Sequence, residues 1–271
     1  MALAGRKAQT ILTQRKATPV VGNTSHETTV TSVEYEQVVR GLRPLVHRAI
    51  SEASRERWWA ERCRRAVNIL VAFVGLVLIA PLMLFIAVAI RLTSRGPVIY
   101  RQQRVGLDRR SAERRSANGR RAQDVGGRPF TIYKFRTMRS DRGAVVQEQW
   151  ASPHDPRVTT IGKVLRQLRL DELPQLVNVL KGDMNLVGPR PEQPAIASEL
   201  GRQISGYAER HRVLPGITGW AQVQHHYDTC LEDVRRKVAL DLEYVARRSL
   251  TEDFKIMAMT LPVIVFRKGA W

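Results

Sequence analysis

The feature that most constrains this chain is the run of residues 66–90, AVNILVAFVGLVLIAPLMLFIAVAI, which has no charged side chain and one polar side chain, Asn68. At ~1.5 Å per residue a helix of this length measures about 37 Å, enough to cross the ~30 Å hydrocarbon core of a bilayer. A buried helix of a globular domain is the alternative, but uncharged runs this long are typical of membrane segments. The sequence therefore predicts a helix that enters the membrane.

Pro81 divides this run and leaves its path through the membrane open. Proline removes a backbone hydrogen bond, so it either kinks a helix or breaks it and lets the chain turn back. Basic residues flank the run at similar density on both sides: arginines 55, 57, 62, 64 and 65 before it and 91, 95, 101 and 104 after it. Because basic flanks favour the cytoplasmic side, this symmetry favours a re-entrant helix bent at Pro81, with a kinked spanning helix as the alternative.

The net charge of the chain calls for an anionic partner. Its formal value is +19 over 271 residues. A hydrophobic content of 44% excludes a wholly disordered chain, and the presence of only two cysteines, Cys63 and Cys230, excludes a disulfide scaffold. Charge alone leaves nucleic acid, anionic lipid and a phosphorylated substrate open as partners.

The rest of the chain divides into three further parts. Residues 1–32 are polar and predict a disordered N-terminal tail without a cleavable signal peptide. Residues 33–65 predict an amphipathic, interfacial helix that ends in a tryptophan pair among arginines. Residues 91–271 predict a cytosolic domain, and the arginine-rich stretch 108–128 predicts a loop insertion within it that is either solvated or in contact with lipid headgroups.

The region 91–271 has the pattern of a mostly helical α+β domain with a small β-element. Alternation over 129–138 predicts a strand. Apolar residues spaced i, i+3, i+4 and i+7 over 173–180 predict a helix that Gly182 terminates. Residues 255–266 are apolar but short and contain a proline, which favours a packed or interfacial helix over a second membrane span.

Two adjacent carboxylates, Asp171 and Glu172, open the predicted helix, with Pro174 in its first turn. Helix capping alone would account for Asp171, because aspartate is a favoured N-cap residue. A functional role also has a physical basis: a helix N-terminus attracts phosphate, and a carboxylate pair can hold Mg²⁺ together with substrate phosphates. Arg166 and Arg169, just before the pair, add charge complementary to a phosphate.

Three further cations are candidates for binding a diphosphate. Lys134 and Arg136 alternate along the predicted strand and so project together, although a solvated strand edge would show the same pattern. Arg190 lies between two prolines in the sequence GPRP, which stiffens its backbone. A simple turn would also account for that sequence.

Taken together, three long motifs resemble those of the bacterial sugar transferase family. They are KFRTM at 134–138, LRLDELPQLVNVLKGDMNLVGPRPE at 168–192 and PGITGWAQV at 215–223, and they follow a basic-flanked apolar segment in that order. The resemblance covers roughly residues 60–270 and is closest to the small monotopic polyprenyl-phosphate phosphoglycosyl transferases. Motifs of this length are much more specific than short sequence patterns.

The resemblance implies transfer of a sugar 1-phosphate from a UDP-sugar to polyprenyl (undecaprenyl) phosphate, with release of UMP. Such a step initiates exopolysaccharide, capsule, O-antigen or glycoprotein glycan assembly. It also implies that Asp171 is the nucleophile of a covalent aspartyl-phosphosugar intermediate and that Asp171 and Glu172 hold Mg²⁺. Arg166 would bind phosphate, and the diphosphate or the nucleotide would be contacted by Lys134, Arg136 and Arg190.

For topology, the resemblance implies a monotopic protein of the bacterial inner (cytoplasmic) membrane. Its re-entrant helix would be broken at Pro81, with both helix ends and the catalytic domain in the cytosol. Anionic membrane lipids become expected partners, nucleic acid is not needed to explain the charge, and homo-oligomerisation stays open. The identity of the sugar has no local signature.

The chain departs from the family pattern at a few positions. Ala80 stands where a serine often precedes the proline, so the predicted bend rests on Pro81 alone. Asn185 replaces a usual serine, Gln224-His225 replaces a frequent Asn-Gly, and the loop at 108–128 looks like an insertion. None of these departures affects the Asp-Glu pair.

Two other functions fit parts of the sequence. A membrane-anchored adaptor could bind nucleic acid or acidic lipid through its basic surface, but aromatic residues make up only 6% of the chain and the motifs are specific to the transferases. A polytopic transferase would need many membrane helices, whereas the chain has one run of spanning length.

Overall fold

The computed structural model of the protein describes residues 32–51, 55–109, 126–139, 155–224 and 230–265. The tail predicted at 1–32 lies outside these ranges except for its last residue. Most of the arginine-rich loop predicted at 108–128 also lies outside them.

Two helices form the N-terminal part of the described chain: α1, Ser32–Ser51, and α2, Arg55–Thr93. The interfacial helix predicted over 33–65 is therefore divided between α1 and the first turns of α2. Pro81 lies inside α2, which is assigned as one helix from end to end. The re-entrant bend at this proline stays a prediction.

The apolar run forms a largely exposed surface of α2. Its most apolar stretch is only 11% buried, and Leu78 and Phe85 are 74% and 70% exposed. A core helix of a globular domain would bury this surface, so the alternative of a buried globular helix is wrong. Within the described residues α2 is the one helix long and apolar enough to cross a membrane.

Both ends of the apolar run pack against the same domain. Towards the N-terminus, Asn68 Oδ1 accepts a hydrogen bond from the amide of Leu186 at 2.6 Å. Towards the C-terminus, Ile86 and Ile90 are buried in a cluster that also contains Phe135 and Leu165. The middle of α2 is thus left exposed between two anchored ends.

An antiparallel hairpin follows α2. Strand β1, Ile99–Val105, pairs with β2, Pro129–Phe135, in a register that places Gln102 opposite Ile132. The strand predicted over 129–138 is confirmed for its first seven residues. Two short helices come next, α3, Thr160–Gln167, and α4, Gln175–Lys181. Gly182 terminates α4 with φ 88°, as its sequence position predicts.

The C-terminal half places a two-stranded parallel sheet among four helices. Its strands are β3, Asn185–Val187, and β4, Gly216–Thr218. The helices are α5, Pro194–Gln203; α6, Trp220–Gln224; α7, Leu231–Arg247; and α8, Leu250–Val265.

The largest apolar cluster lies between α1 and α7. Helix α1 presents buried residues at helical spacing, and α7 meets them with Val238 and Leu242, both fully buried; the α1 residues are Tyr35, Val39, Leu42 and Val46. This packing holds the amphipathic N-terminal helix on the domain. Together with the elements above, it gives the described residues a mostly helical fold with small sheets. The predicted α+β class, mostly helical, is confirmed.

Helix α8 agrees with the packed or interfacial helix predicted at 255–266. Ile256 is fully buried, whereas Phe254 and Leu261 are 51% and 64% exposed. Pro262 lies inside the helix. One face of α8 is therefore anchored on the domain while apolar side chains extend from another.

The buried C-terminal end of α2 yields a stability prediction. Ile90→Ala is expected to lower the free energy of unfolding by about 2–5 kcal/mol, because it leaves a cavity between α2 and the domain. Leu92→Ala removes a similar side chain that is 81% exposed and is the matched control. Thermal unfolding in detergent checks this; equal melting temperatures for the two variants would contradict the packing.

Candidate active site

The carboxylate pair lies on a tight turn between α3 and α4. Arg169 has φ 56° and ψ 15°, in the left-handed region that non-glycine residues rarely adopt, and it leads into a 3₁₀ turn over Leu170–Glu172. Pro174, not Asp171, is the N-cap residue of α4. Capping therefore does not account for Asp171, and the strained residue beside it is of the kind that clusters at functional sites.

Glu172 is the centre of an ion cluster. Its Oε1 accepts hydrogen bonds from Lys134 Nζ at 2.7 Å and from Arg190 Nη2 at 2.6 Å, and its Oε2 accepts one from Arg190 Nη1 at 3.3 Å. The Glu172 side chain is 9% exposed. Two of the predicted anion-binding cations are thus brought together on one buried carboxylate.

Asp171 is buried beside this cluster at 9% exposure, and no described residue donates a hydrogen bond to its carboxylate. Burial raises the pKa of Asp171, and the negative charge of Glu172 raises this pKa further. The charges of Lys134, Arg190 and Arg166 lower the pKa and offset only part of the rise. Asp171 therefore presents a carboxylate that is poorly stabilised by the protein itself.

Glu172 shows the opposite balance. Burial opposes its ionisation, but Arg190 and Lys134 outweigh burial and hold the pKa of Glu172 well below its usual range. Burial in turn lowers the pKa of Lys134, and Glu172 offsets part of that change. The pKa values of the two neighbouring carboxylates are thus shifted in opposite directions. This pattern is typical of active sites in which two carboxylates have different roles.

The other two predicted cations are held elsewhere. Arg166 Nε donates a hydrogen bond to Thr137 Oγ1 at 2.9 Å, and its charge acts on Asp171 without a direct hydrogen bond. The guanidinium of Arg136 donates to the carbonyls of Ser94 and Arg95, both at 2.8 Å. Arg136 therefore ties the end of β2 to the end of α2, and its phosphate-binding role stays a prediction.

Close backbone packing holds the GPRP segment in place. The amide of Gly188 donates to Thr218 O at 2.9 Å, and that of Gly216 donates to Pro189 O at 3.0 Å. A Cβ on Gly216 would lie 2.1 Å from the Gly188 nitrogen, so no larger residue fits there. This close contact between the two backbone segments fixes the position from which the Arg190 side chain reaches Glu172.

Two positioning residues were not singled out from the sequence. Thr137, which accepts from Arg166, lies inside the KFRTM motif, and that motif was the available signal. Asn178 is fully buried on α4; its side chain accepts from the Tyr133 amide at 3.1 Å and donates to Thr131 O at 2.7 Å. Asn178 thereby locks β2 against the helix that follows the carboxylates.

The two carboxylates fit a Mg²⁺ site whose remaining ligands come from substrate phosphates. Magnesium in phosphoryl-transfer sites usually binds one or two carboxylates together with phosphate oxygens. Asp171 has free acceptor capacity, and Glu172 lies next to it in the turn. No cluster of three or more His, Cys, Asp or Glu side chains able to hold a metal occurs in the described ranges. A metal here therefore needs the substrate for its remaining ligands.

The structure combines an exposed apolar helix with a domain in which cations surround a pair of carboxylates. This combination is typical of a membrane-associated enzyme that acts on an anionic substrate. The chain belongs to the bacterial sugar transferase family, whose model matches residues 59–267. The matched region begins shortly after the start of α2 and contains the whole site. The family predicted from the motifs is confirmed.

Curated relatives carry consistent names. A UDP-N-acetylgalactosamine-undecaprenyl-phosphate N-acetylgalactosaminephosphotransferase of Aeromonas hydrophila is 44% identical over 210 residues, 76% of this chain and 44% of that protein. A UDP-glucose:undecaprenyl-phosphate glucose-1-phosphate transferase of Escherichia coli K12 is 42% identical over 201 residues, 73% of this chain and 39% of that protein. The chain therefore spans less than half the length of these two relatives.

A third relative is closer in size. The UDP-glucose:undecaprenyl-phosphate glucose-1-phosphate transferase of Caulobacter vibrioides is 39% identical over 212 residues, which cover 77% of this chain and 72% of that protein. The three relatives are named for two different sugars. Similarity alone therefore does not select the sugar.

The unequal carboxylates predict opposite effects on stability. Glu172→Gln is expected to lower the free energy of unfolding by about 1–3 kcal/mol, because Lys134 and Arg190 lose their charged partner. Asp171→Asn is expected to leave it unchanged or to raise it, because an ill-stabilised charge is removed. Thermal unfolding at neutral pH in the presence of EDTA measures both, and a larger loss for Asp171→Asn would contradict the assignment.

The pH dependence has a definite sign for each residue. For Asp171 the folded pKa is raised, so its contribution to stability is full below its unfolded pKa of ~3.9 and is lost as pH rises through the folded value. For Glu172 the folded pKa is lowered, so its contribution is present above ~4.3 and is lost as pH falls through the folded value.

Proposed function

We propose that this protein transfers a sugar 1-phosphate from a UDP-sugar to undecaprenyl phosphate and releases UMP. One observation carries the proposal: the buried Asp171 carboxylate accepts no hydrogen bond within the described part of the chain, and it lies beside Glu172, whose charge Lys134 and Arg190 neutralise. The domain that holds this pair is anchored on an apolar helix. The names of the relatives support the substrate classes. The reaction would begin the assembly of a bacterial glycan such as an exopolysaccharide, a capsule, an O-antigen or a glycoprotein glycan.

In the first step Asp171 acts as the nucleophile. Its carboxylate oxygen forms a bond to the β-phosphorus of the UDP-sugar, and the bond from that phosphorus to the bridging oxygen breaks. UMP leaves with the bridging oxygen, and an aspartyl-phosphosugar stays on the enzyme. A carboxylate whose pKa is raised suits this role, because little protein stabilisation must be given up when it attacks.

In the second step a phosphate oxygen of undecaprenyl phosphate attacks the same phosphorus. The product is the undecaprenyl-diphospho-sugar, and the Asp171 carboxylate is regenerated. Glu172 keeps Lys134 and Arg190 in place through both steps, where their charges can act on the phosphoryl oxygens. Mg²⁺ held at Asp171 and Glu172 would neutralise charge on the diphosphate.

For the membrane, we propose that α2 enters the cytoplasmic leaflet, turns at Pro81 and returns. The packing of α2 supports this path. Ile132 belongs to the cluster around Ala72, and Phe135 belongs to the cluster around Ile90, so one strand serves both halves of the helix. Ile132 and Phe135 lie three residues apart, which is only about 10 Å along the strand. The two ends of a spanning helix would instead be separated by ~30 Å of hydrocarbon.

The same path would bring the site to the level of the lipid phosphate. Arg136 joins β2 to the carbonyls of Ser94 and Arg95 at the end of α2. Lys134, two residues earlier on β2, contacts Glu172. The carboxylate pair therefore lies one short strand segment from the point where α2 leaves the membrane, and anionic headgroups would meet the arginines there. With this path, the catalytic domain would lie on the cytosolic side of the inner membrane.

The nucleophile is tested by Asp171→Asn. UMP release from UDP-sugars is expected to fall by at least ~10³-fold in this variant, because the amide cannot form the covalent intermediate. The measurement is a UMP-release assay over a panel of UDP-sugars with undecaprenyl phosphate and Mg²⁺. Glu199→Gln removes an exposed carboxylate of α5 and is expected to keep full activity. Near-normal turnover by a folded, membrane-bound Asp171→Asn variant would exclude Asp171 as the nucleophile.

The path of α2 is tested by cysteine accessibility. The exposed Cys63 and Cys230 are first replaced by serine, and single cysteines are then introduced at the exposed positions Arg40 and Arg101. Both cysteines are expected to react with a membrane-impermeant maleimide only after permeabilisation of the cells. Labelling of one position in intact cells would show a spanning helix and defeat the re-entrant path.

A further inference from the structure

A polar stripe on α7 lies behind the segment that carries Arg190. Its members Lys237, Asp241 and Tyr244 are spaced i, i+4 and i+7, so they share one face of the helix. Asp241 and Tyr244 are 2% and 1% exposed. Buried polar side chains need partners. Lys237 and Tyr244 contact residues 187–192 directly, and Asp241 contacts Arg210, which in turn contacts Arg190.

The two ends of the stripe hold the two ends of that segment. Tyr244 Oη lies within hydrogen-bonding distance of two acceptors, Asp253 Oδ1 at 2.7 Å and the carbonyl of Val187 at 3.2 Å. Lys237 Nζ donates to Glu192 Oε1 at 2.9 Å. The helix therefore fixes the segment antiparallel to itself, at both limits of the GPRP sequence.

The middle of the stripe acts through a buried arginine. Asp241 Oδ2 lies 2.6 Å from Arg210 Nη2, and the two side chains are 2% and 1% exposed. The same Arg210 Nη2 donates a hydrogen bond to the carbonyl of Arg190 at 3.0 Å. Arg210 Nη1 also donates a hydrogen bond to Tyr207 Oη at 3.2 Å. Asp241 thus pairs with a guanidinium that also contacts the backbone of Arg190, a residue in the ion cluster.

Proline chemistry makes this contact important. Pro189 and Pro191 have no amide hydrogen, so this part of the chain can be held mainly through donors to its carbonyls. Arg210 supplies one such donor, and Arg104 Nη1 supplies another, to Pro191 O at 3.2 Å. The fork of two hydrogen bonds from Arg190 to Glu172 is directional, so a small shift of this backbone would misalign it.

We infer that Arg210 and Asp241 are positioning residues that aim Arg190 at Glu172 and at the substrate diphosphate. The inference rests on the proposed function in that Arg190 meets the diphosphate. Stability alone is a weak reason for such a pair, because buried ion pairs rarely improve on apolar residues of similar size. The role that we assign to the pair is to hold the carbonyl of Arg190 through the hydrogen bond from Arg210.

The experiment is a double-mutant cycle of Asp241→Asn with Arg190→Ala. If Asp241 acts through Arg190, Asp241→Asn lowers kcat/KM for UMP release by about 10- to 100-fold in the parent, and by less than about threefold once Arg190 is absent. The control is Val238→Ala, on the same helix and fully buried. It lowers the melting temperature, and its factor in kcat/KM is the same with and without Arg190.

A second readout does not depend on turnover. UDP with Mg²⁺ raises the melting temperature of the parent by mass action. Asp241→Asn is expected to reduce this rise as Arg190→Ala does, whereas Val238→Ala keeps it. If the parent releases no UMP, the proposed function fails, and the UDP-induced shift still tests the positioning.

A variant with an apolar pair separates positioning from folding. Arg210→Met with Asp241→Leu is expected to keep the melting temperature close to that of the parent and to lose kcat/KM as Asp241→Asn does. Full activity in this folded double variant would overturn the inference. Equal factors for Asp241→Asn with and without Arg190 would overturn it as well.

Discussion

The pairing of Glu172 with two cations is the interaction on which the rest of the site depends. Lys134 comes from the β1–β2 hairpin and Arg190 from the GPRP segment, so one carboxylate joins two distant parts of the chain. These cations pair with Glu172 and offset only part of the rise in the pKa of the buried Asp171, so the Asp171 carboxylate is left incompletely neutralised. In the proposed reaction, a substrate diphosphate with its metal would supply the positive charge that Asp171 lacks.

The second constraint is the apolar helix, which serves two environments. Its exposed apolar side chains are suited to contact with lipid, whereas Asn68 and Ile90 pack against the domain. Arg136 connects this helix to the strand that carries Lys134. The helix and the site are therefore joined through one strand, as the proposed reaction between a water-soluble and a membrane-bound substrate would need.

Local patterns in the sequence were sufficient for several elements. The length of the apolar run, the apolar spacing over 173–180 and the terminating Gly182 each depend on near neighbours in the chain. The carboxylate pair was visible as two adjacent acids beside a proline. The family followed from long motifs, and the family model confirms it.

Other features depend on contacts between distant residues and could not be predicted. A 3₁₀ turn over Leu170–Glu172 follows the left-handed Arg169, and α4 begins after it with Pro174 as the N-cap, although the sequence pattern predicted Asp171 at the helix start. Arg136 looks like a partner of Lys134 on a strand face, yet it binds carbonyls at the end of α2. The pairing of Arg210 with Asp241 joins elements about thirty residues apart, and no local spacing indicates it.

The central claim is that a carboxylate of this site becomes covalently bound to the phosphosugar. The most direct measurement is the intact mass of the enzyme after incubation with a UDP-sugar and Mg²⁺ without undecaprenyl phosphate. We expect a mass increase of one phosphosugar, equimolar release of UMP, and peptide mapping of the adduct to Asp171. Efficient transfer to undecaprenyl phosphate by an enzyme that never shows this adduct under rapid quenching would contradict it.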